Sequence, residues 1–367
     1  MKLVFSRNDL QKGVNIVSKA VPAKTTMSIL KCILISADEE KITLLANDME
    51  LGIETKVEGE IVEGGVIALD ASILSEIVRK IPDADVVLET DSNYTAVITC
   101  ENARFTIPGK SGEDFTYLPD ITKEQGISLT QLSLREVIRQ TIFSIAANEN
   151  NRLMTGELFE LNGNILKVAS LDGHRISIRK IGLANNYDKR KVVVPGKTLN
   201  EISKILSGEA DQKVDIYFCS QHIVFEFNDT VVVSRLIEGE YFRIEQMLSS
   251  DYETKVTVNK KAFADCIDRS TLLVKEGEKK PIIVNITDDY MQLRMESPMG
   301  SMKEDIPVEK TGKDIVIGFN PKFLIDALRV IDEEEVTVYL VNSKAPCFIQ
   351  NDEETYTYLI LPVNINV

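Results

Sequence analysis

The residues best suited to chemistry lie in the stretch ASLDGHRIS, residues 169–177. It contains His174, one of only two histidines in the chain, with Asp172 two positions before it and Arg175 directly after it. A histidine that is oriented by a carboxylate can act as a general base. The same spacing suits a tight turn at Asp172 and Gly173, in which polar side chains hydrogen-bond across the turn. The stretch therefore supports either a catalytic pair or a structural turn.

Catalysis would need further groups, and the sequence does not supply them in a recognisable pattern. A nucleophile motif such as GxSxG does not occur. The five cysteines form no CxxC pair, and two histidines are too few for a usual transition-metal site. We therefore predict that the chain is not an enzyme and holds no metal or cofactor. A turnover that is lost in His174→Ala would instead favour a hydrolase.

The composition of the 367-residue chain is typical of a soluble globular protein with two or three domains. The start, MKLVFSRNDL, lacks the apolar core of a signal peptide, and no run approaches the ~18 apolar residues of a membrane span. An odd number of separated cysteines favours free thiols in a reducing compartment. We therefore expect a cytoplasmic protein without a membrane partner.

One unit occurs three times along the sequence. The segments 67–81, 192–206 and 317–331 start 125 residues apart and share their apolar positions. Each has the pattern of a short strand, a turn and an amphipathic helix. A second set of apolar positions, with spacings of five and four residues, opens each unit: Phe5, Leu10 and Val14; Leu129, Leu134 and Ile138; Val258, Phe263 and Ile267.

The repeat predicts the fold class. Alternating and β-branched runs between the helices predict antiparallel strands. The expected fold is α+β, with three repeated domains that each pack two helices on antiparallel sheets. Candidate linkers lie at 120–126 and 249–254, and the segment 185–191 (NNYDKRK) is predicted to be an exposed loop. The predicted domains are 1–122, 123–252 and 253–367, and the predicted helical windows are 6–21, 70–81, 133–147, 196–207, 259–274 and 320–331.

Charge follows the same repeat. The net charge is −15, yet the six helical windows hold 14 Lys and Arg against 8 Asp and Glu. Solvated helix faces often favour such residues, which is one explanation. Combined with the threefold repeat, the pattern predicts one basic surface for a polyanion such as nucleic acid. The charged positions that recur at steps of 125 are Glu76, Glu201 and Asp326; Arg79, Lys204 and Arg329; and Lys197 and Lys322, with Ser72 in the first copy.

These features together carry a family resemblance over the whole chain. The three repeats, the turn LDGHR in the second repeat, LIEGEY at 236–241 and ILPV at 360–363 resemble the bacterial DNA polymerase III beta subunit family, the sliding clamps. The resemblance implies a head-to-tail homodimer that forms a six-domain ring, with the helices around duplex DNA and the sheets outside. It also implies binding of a clamp loader, of the replicative DNA polymerase and of other proteins that carry a clamp-binding peptide.

The resemblance also implies which residues do this work. Lys24 and Arg152 lie where relatives contact DNA from loops. The expected lining of the hole comprises these two and basic residues of the helices: Lys12, Arg79, Arg135, Arg139, Lys197, Lys204, Lys322 and Arg329.

A peptide-binding groove between the second and third domains is implied in the same way. The DGHR turn forms one of its walls, and the chain's end forms another. The implied groove residues are Met154, Leu171, Gly173, His174, Arg175, Ile176, Phe242, Met247, Leu359, Leu361, Pro362 and Val363.

The dimer contact implied by the resemblance lies on one strand of the first domain. Phe105 and Ile107 would close the ring, and Arg104 would pair with Glu304 or Asp305 of the third domain. Phe105 and Ile107 could equally be ordinary core residues. A repeat-built structural or carbohydrate-binding protein remains the alternative to a DNA clamp. It would be a monomer without salt-dependent DNA association.

Overall fold

A computed structural model describes residues 1–38, 40–123, 125–147, 151–248, 251–275 and 280–365. Residues 124, 249 and 250 of the two candidate linkers lie outside the described residues. The chain forms two compact units, which comprise Met1–Arg135 with Lys197–Leu236 and Glu136–Gly196 with Ile237–Val367.

All six predicted helices are present in the described residues. Five of their starts follow from capping, because a side chain at the cap accepts a hydrogen bond from a backbone N–H of the first turn; these caps are Ser6, Asp70, Thr130, Asn259 and Asn320. The oxygen of Ser6 accepts from Asp9 N at 3.1 Å, and Asn259 Oδ1 accepts from Ala262 N at 2.9 Å. The helices are α1 (Arg7–Val17), α2 (Ala71–Lys80), α3 (Gln131–Thr141), α4 (Gly196–Ser203), α5 (Lys260–Thr271) and α6 (Pro321–Val330).

The repeated apolar positions form the buried faces of these helices, as predicted. Leu74, Leu199 and Leu324, which are 125 residues apart, are each at most 1% exposed. Helix α1 packs against α2, and α5 packs against α6. Burial of one apolar stripe leaves most of the charged side chains of these helices exposed.

The strands of the described residues are mostly short, as alternating runs bounded by turns predict. They are β1 (Lys2–Ser6), β2 (Cys32–Ala37), β3 (Ile42–Asn47), β4 (Leu51–Val57), β5 (Glu60–Glu63), β6 (Gly65–Asp70), β7 (Asp85–Thr90), β8 (Thr95–Cys100), β9 (Ala103–Lys110), β10 (Gln125–Thr130), β11 (Gly156–Leu171), β12 (Arg175–Pro195), β13 (Lys213–Phe218), β14 (His222–Phe227), β15 (Thr230–Arg235), β16 (Thr254–Asn259), β17 (Ile282–Ile286), β18 (Tyr290–Ser297), β19 (Gly300–Gly312), β20 (Ile315–Phe319), β21 (Glu335–Leu340), β22 (Cys347–Gln350) and β23 (Tyr356–Ile360).

Each unit contains one antiparallel sheet. Over the described residues, the strand order in the first unit is β10-β13-β14-β15-β4-β3-β2-β6-β9-β8-β7-β1-β5. The order in the second unit is β11-β12-β23-β22-β21-β16-β19-β18-β17-β20. The α+β prediction of helices packed on antiparallel sheets is therefore confirmed.

The prediction of a loop at residues 185–191 is wrong. These residues belong to β12, which pairs with β11 along a hairpin interrupted by register shifts at Leu161–Gly163 and Gly163–Ile165. Most of the segment is exposed, although it is a strand. A polar run of this kind is solvated on both faces, so it lacks the apolar alternation by which a strand is recognised in sequence.

Strands of successive repeats pair with each other and extend each sheet. In the first unit, β4 of the first repeat pairs with β15 of the second, with Leu51 opposite Ser234. In the second unit, β12 of the second repeat pairs with β23 of the third, with Arg175 opposite Ile360. We call these pairings the first seam and the second seam.

Two further findings concern the chain as a whole. All five cysteines are buried free thiols. Among the described helices, none is long and apolar enough to cross a membrane.

Candidate functional site

The DGHR stretch is a tight turn between β11 and β12. Asp172 Oδ1 accepts hydrogen bonds from the backbone N–H groups of His174 at 3.0 Å and Arg175 at 3.2 Å. Gly173 has a φ of +86°, a conformation that favours glycine. The Asp-Gly pair therefore builds the turn that presents His174 to solvent.

Arg175 anchors this turn to the elements behind it. Its side chain is only 8% exposed and pairs through Nε with Asp172 Oδ2 at 2.9 Å and through Nη1 with Asp326 Oδ2 of α6 at 2.7 Å. Its Nη2 donates to the carbonyl of Phe143 at 2.5 Å, and its guanidinium lies 4.6 Å from the ring centre of Phe323. The nitrogens of the guanidinium are thus occupied by partners within the chain, so Arg175 can contact a ligand only through the rest of its side chain and its backbone.

The same contacts argue against a catalytic pair. Both carboxylate oxygens of Asp172 are engaged, by the turn and by Arg175, and among the hydrogen bonds of the described residues the imidazole of His174 donates none to Asp172. The imidazole instead stacks on Phe323, with ring centres 5.9 Å apart. Over the described part of the chain, no cluster of three or more His, Cys, Asp or Glu side chains could hold a metal ion. The geometry thus supports the turn rather than the general base.

The turn forms one wall of an apolar cavity of about 370 Å³, which we call the His174 cavity. Ten of the twelve groove residues implied by the resemblance line it, and Pro346 is an additional lining residue. Pro346 was missed because it lies in a loop of the third repeat without any pattern of its own. The lining comprises Met154, Leu171, Gly173, His174, Arg175, Ile176, Phe242, Met247, Pro346, Leu359 and Leu361.

The other two implied residues, Pro362 and Val363, do not line the cavity. The chain leaves it after Leu361, whose N–H donates to the carbonyl of His174 at 2.8 Å. Val363 then donates to the carbonyl of Gly318 in β20 at 2.9 Å, which directs the chain's end along that strand. A tail that alternates like a strand does not reveal from sequence where its last strand contact lies.

A rigid core supports the floor of the His174 cavity. Leu171, Ile176 and Leu359 belong to a buried cluster together with Tyr241 and Ile244. The rim is more open, since Met247 is 45% exposed. Methionine adapts its shape to different partners, so a fixed floor with a flexible rim suits several related apolar ligands.

A buried carboxyl group lies beside this core. Glu157 of β11 is 0% exposed, and burial raises its pKa to about 8. Its neighbour in the β11–β12 ladder is Val194. At the matching positions of the other two repeats, the β2–β6 pair is Ile33 with Leu69 and the β17–β20 pair is Ile282 with Phe319. Glu157 is therefore a polar exception at a core position.

The basic residues implied to contact DNA are placed mainly on exposed surfaces. Arg139 is the exception, because its Nε bonds Glu136 at 2.9 Å and its Nη2 pairs with Asp332 at 2.9 Å, with its side chain 34% exposed. The exposed ones are Lys12, Lys24, Arg79, Arg135, Arg152, Lys197, Lys204, Lys322 and Arg329.

The repeated acidic residues balance these charges differently in the three copies. Glu76 pairs with Arg79 at 2.5 Å on α2, and Glu201 of α4 pairs at 2.7 Å with Lys204, which directly follows that helix. Asp326 on α6 instead has a side chain only 12% exposed and lies between Lys322 and Arg175. The third copy therefore connects its basic helix to the DGHR turn, which the sequence pattern did not predict.

The strand expected to close a dimer has an open edge. Arg104 is exposed, Phe105 is half-buried, and Ile107 is 9% exposed on β9. Over residues 103–107, the described strands pair with β9 on the β8 side alone. Of the proposed acidic partners, Glu304 is already paired with Arg269 within the chain.

One exposed apolar residue was missed by the sequence analysis. Leu272, directly after α5, is 75% exposed, more than any other large hydrophobic residue described. An exposed leucine at a helix end is common in sequence and gives no signal there.

Comparison with known proteins agrees with the fold. The chain matches models of the DNA polymerase III beta subunit for its N-terminal domain over residues 1–119, its central domain over 128–242 and its C-terminal domain over 245–364. The beta sliding clamp of Staphylococcus epidermidis is 31% identical over 374 residues, which cover 99% of both chains.

Solved structures are similar over the full length. A protein from Eubacterium rectale, described as a DNA polymerase III beta subunit, is 66% identical with a TM-score of 0.97, and both chains are covered completely. The DNA polymerase sliding clamp of Bacillus subtilis is 30% identical with a TM-score of 0.96, again over all of both chains.

The chain belongs to the DNA polymerase III beta subunit family, the sliding clamps. Its three repeats are the three clamp domains of this family. Members are processivity factors without catalytic activity, which settles the choice between an enzyme and a binding protein.

Proposed function

We propose that two copies of this chain close head to tail into a ring that holds duplex DNA and tethers the replicative polymerase during synthesis. The observation that carries this proposal is a repeated pattern of exposed basic residues at equivalent positions: Arg79 in the last turn of α2, Lys204 directly after α4 and Arg329 in the last turn of α6. A core requires repeated apolar positions, but it does not require repeated exposed charges. A surface for a polyanion does require them.

The charge on the helices suits sliding rather than tight binding. A domain of this size is roughly 30 Å across. Duplex DNA of that length carries about 18 phosphate charges. The helical windows of one chain carry a net charge of only +6, and carboxylates such as Glu76 and Glu201 pair with neighbouring basic residues. Such a lining attracts DNA without fixing a register, so topology holds the ring on the duplex.

The His174 cavity is the proposed binding site for short peptides of the polymerase, the clamp loader and other DNA-processing proteins. Its apolar lining and a volume of about 370 Å³ suit one or two bulky side chains. A short peptide buries little surface, so each site binds modestly. Two sites on one ring increase the effective affinity of a bivalent partner.

The proposed dimer contact joins two open strand edges. One is residues 103–107 of β9, and the other is the first half of β19, where residues 300–306 pair with β18 but with no other strand of the described residues. Exposed strand edges readily pair with another chain. The exposed Leu272 supplies apolar surface in the third repeat, as Phe105 does in the first.

The remaining features of the proposal follow from the family and the sequence. We propose domain boundaries at 1–122, 123–252 and 253–367. A role in DNA replication supports a cytoplasmic location for the ring. The protein itself requires no cofactor, and the ATP used in loading belongs to the clamp loader.

The proposal is tested by retention on circular DNA. The triple variant Arg79→Glu, Lys204→Glu and Arg329→Glu reverses one charge at the same position of each repeat. After incubation with the clamp loader and a nicked circular duplex, we expect the amount of ring retained on DNA to fall roughly tenfold or more at moderate salt, because the reversed charges repel the phosphates that the lining must attract.

A matched control reverses the same number of charges elsewhere. Lys41, Lys189 and Lys344 are exposed and lie outside the six helices. Their change to glutamate alters net charge equally and should leave retention within about twofold, since charges beyond a Debye length are screened. Equal retention of the helix variant and wild type would overturn the proposed lining.

A further inference from the structure

The chain's second histidine lines a cavity of its own. His222 and Arg235 from the second repeat, together with Met49 and Tyr117 from the first, line a cavity of about 310 Å³ in the first unit. We call it the His222 cavity. It lies at the first seam, as the His174 cavity lies at the second.

The turn beside the His222 cavity has the same construction as the DGHR turn. Asp48 Oδ1 accepts from the backbone N–H groups of Glu50 at 3.0 Å and Leu51 at 2.7 Å. Met49 has a φ of +76°, close to that of Gly173 in the second seam. A methionine in this region of φ is uncommon. The first repeat therefore preserves the turn where the sequence has no glycine.

The strand register is preserved as well. The N–H of Arg235 donates to the carbonyl of Glu50 at 2.9 Å, as the N–H of Leu361 donates to that of His174 at 2.8 Å. Matching the ladders places Arg235 at the position of Leu361 and Val233 at the position of Leu359. Both cavities are thus built on one backbone arrangement.

The two cavities differ in how the connecting segment crosses them. Gly52 takes the position of Ile176, and a Cβ added at Gly52 would lie only 2.1 Å from Leu118 Cδ2. Asn47 Nδ2 also donates to the carbonyl of Thr116 at 3.1 Å, which holds this segment in place. Leu118 therefore fills part of the floor, and the space that remains is smaller and more polar.

The remaining space is lined by a cationic group, Arg235, as well as by the acidic Glu50. Arg235 is exposed, and its side chain makes no ion pair within four ångströms among the described residues. Burial and the charge of Arg235 hold the pKa of His222 below its usual value, so the imidazole is neutral at pH 7. Arg235 therefore provides an open partner for a carboxylate, next to the apolar surfaces of Val233 and Leu118.

We infer that the His222 cavity is a second peptide-binding site, whose ligand is a short extended segment with a bulky apolar side chain beside a carboxylate. The inference rests on the proposed peptide binding at the His174 cavity for the class of ligand. The apolar side chain lies against Val233 and Leu118, and the carboxylate pairs with Arg235. Since Leu118 occupies part of the space, binding is weaker than at the His174 cavity.

The chain contains no tryptophan, so a single introduced tryptophan reports on one cavity alone. Tyr117→Trp reports on the His222 cavity and Met247→Trp on the His174 cavity, and both positions are about half exposed. Each full-length dimer is titrated with the peptide acetyl-Gly-Leu-Phe-Asp-Gly-amide and with its Asn counterpart, with excitation selective for tryptophan.

We expect saturable emission changes at Tyr117→Trp, with the Asp peptide binding roughly two- to fivefold more tightly than the Asn peptide, the range of an exposed ion pair. Adding Arg235→Gln should remove this preference. Met247→Trp should respond to both peptides equally, because no open cationic group lines its cavity. Absence of a saturable response at Tyr117→Trp, or of the Asp preference, would overturn the inference.

The two reporters separate the two claims. A response at Met247→Trp alone leaves the proposed function intact and refutes the second site. A response at Tyr117→Trp alone supports the second site and refutes peptide binding at the first. If Tyr117→Trp fails to fold, a benzoylphenylalanine version of the Asp peptide is crosslinked to the unaltered protein. Labelling of the tryptic peptide 42–56, which contains Met49, supports the second site, and labelling confined to 153–167 and 244–255 refutes it.

Discussion

The two seams share a turn and a strand register, yet one leaves an apolar cavity and the other is partly filled by its own chain. In the second seam, Ile176 lies in the floor, and Phe242 and Met247 of the connecting segment line the cavity without filling it. In the first seam, the equivalent residue is Gly52, and the side chain of Leu118 occupies the space that a larger residue there would fill. The comparison teaches that the repeated core fixes the backbone of a seam, while a few residues above that core decide what the seam can bind.

The seams also differ in how their turns are held. Arg175 occupies the position of Leu51, which is 1% exposed in the core of the first seam. The carboxylate of Asp48 instead pairs with Lys197 at the start of α4. The turn of the second seam is therefore held by a buried network of charges, and the turn of the first by an apolar side chain and one peripheral ion pair.

The largest expected effect on stability comes from replacing Arg175 of the second seam by leucine, the residue that Leu51 supplies at the equivalent position of the first seam. Arg175→Leu leaves the carboxylates of Asp172 and Asp326 without their buried partner, so we expect a loss of about 3–5 kcal/mol in unfolding free energy. Urea unfolding followed by circular dichroism measures it. Lys322→Leu removes the exposed partner of Asp326 and should cost under about 1 kcal/mol. Similar losses in the two variants would contradict this account of the turn.

The next effect concerns Glu157, which replaces the isoleucine of the other repeats. The folded protein keeps this carboxyl protonated up to a pKa of about 8, whereas the unfolded chain ionises near its ordinary value of 4.5. Stability therefore falls as pH rises between these values, by up to roughly 1.4 kcal/mol per pH unit. Glu157→Ile should remove this slope and stabilise the protein most at pH 8.

Urea unfolding at pH 5, 6, 7 and 8 tests this expectation. The control is Glu58→Gln, because Glu58 is exposed and should leave the slope of wild type unchanged. An equal pH slope in Glu157→Ile and wild type would show that the carboxyl is not held neutral in the fold.

A smaller effect on stability is expected when the side chain of Leu118 is removed from the His222 cavity. Leu118→Ala removes the side chain above Gly52 and should cost about 1–2 kcal/mol, less than a fully buried leucine because Leu118 is partly exposed. The same change should tighten binding of the Leu-Phe-Asp peptide at the His222 cavity severalfold. The Tyr117→Trp reporter measures the affinity, and weaker binding in the emptied cavity would argue that Leu118 is not an obstacle.

The smallest effect concerns the selectivity of the cavities. Leu361→Arg introduces into the second seam the positive charge that Arg235 carries at the equivalent position of the first seam. Leu361 is 37% exposed. The His174 cavity should then prefer the Asp peptide to the Asn peptide by about two- to fivefold, as an exposed ion pair allows. The Met247→Trp reporter measures this preference. An unaltered ratio would indicate that position 361 does not face the bound peptide.

The sequence predicted the repeated core well, because apolar periodicity directly reflects burial. All six helices and the positions Leu74, Leu199 and Leu324 followed from it. The sequence-based prediction failed where a residue's polarity does not match its burial or its secondary structure. Examples are the exposed strand at 185–191 and the buried Glu157. A charge pattern alone gives no sign that a residue is buried or which partner it will have.

The candidate site shows the same limit. The turn residues Asp172 to Arg175 stood out by their types, and the resemblance supplied most of the apolar walls of the His174 cavity. The contact between Arg175 and Asp326 joins residues 151 positions apart, and the filling of the first seam by Leu118 depends on a glycine 66 positions earlier. Such long-range contacts depend on the packed structure and leave no local signal.

The most direct test of the account is the mass of the protein in solution, with its cysteines kept reduced. A ring around DNA needs two chains, because the proposed open edges of β9 and β19 must each find a partner. Sedimentation equilibrium at several concentrations should give a stable species near twice the 41.1 kDa mass of one chain. A species that stays at the mass of one chain across these concentrations would contradict the closed ring.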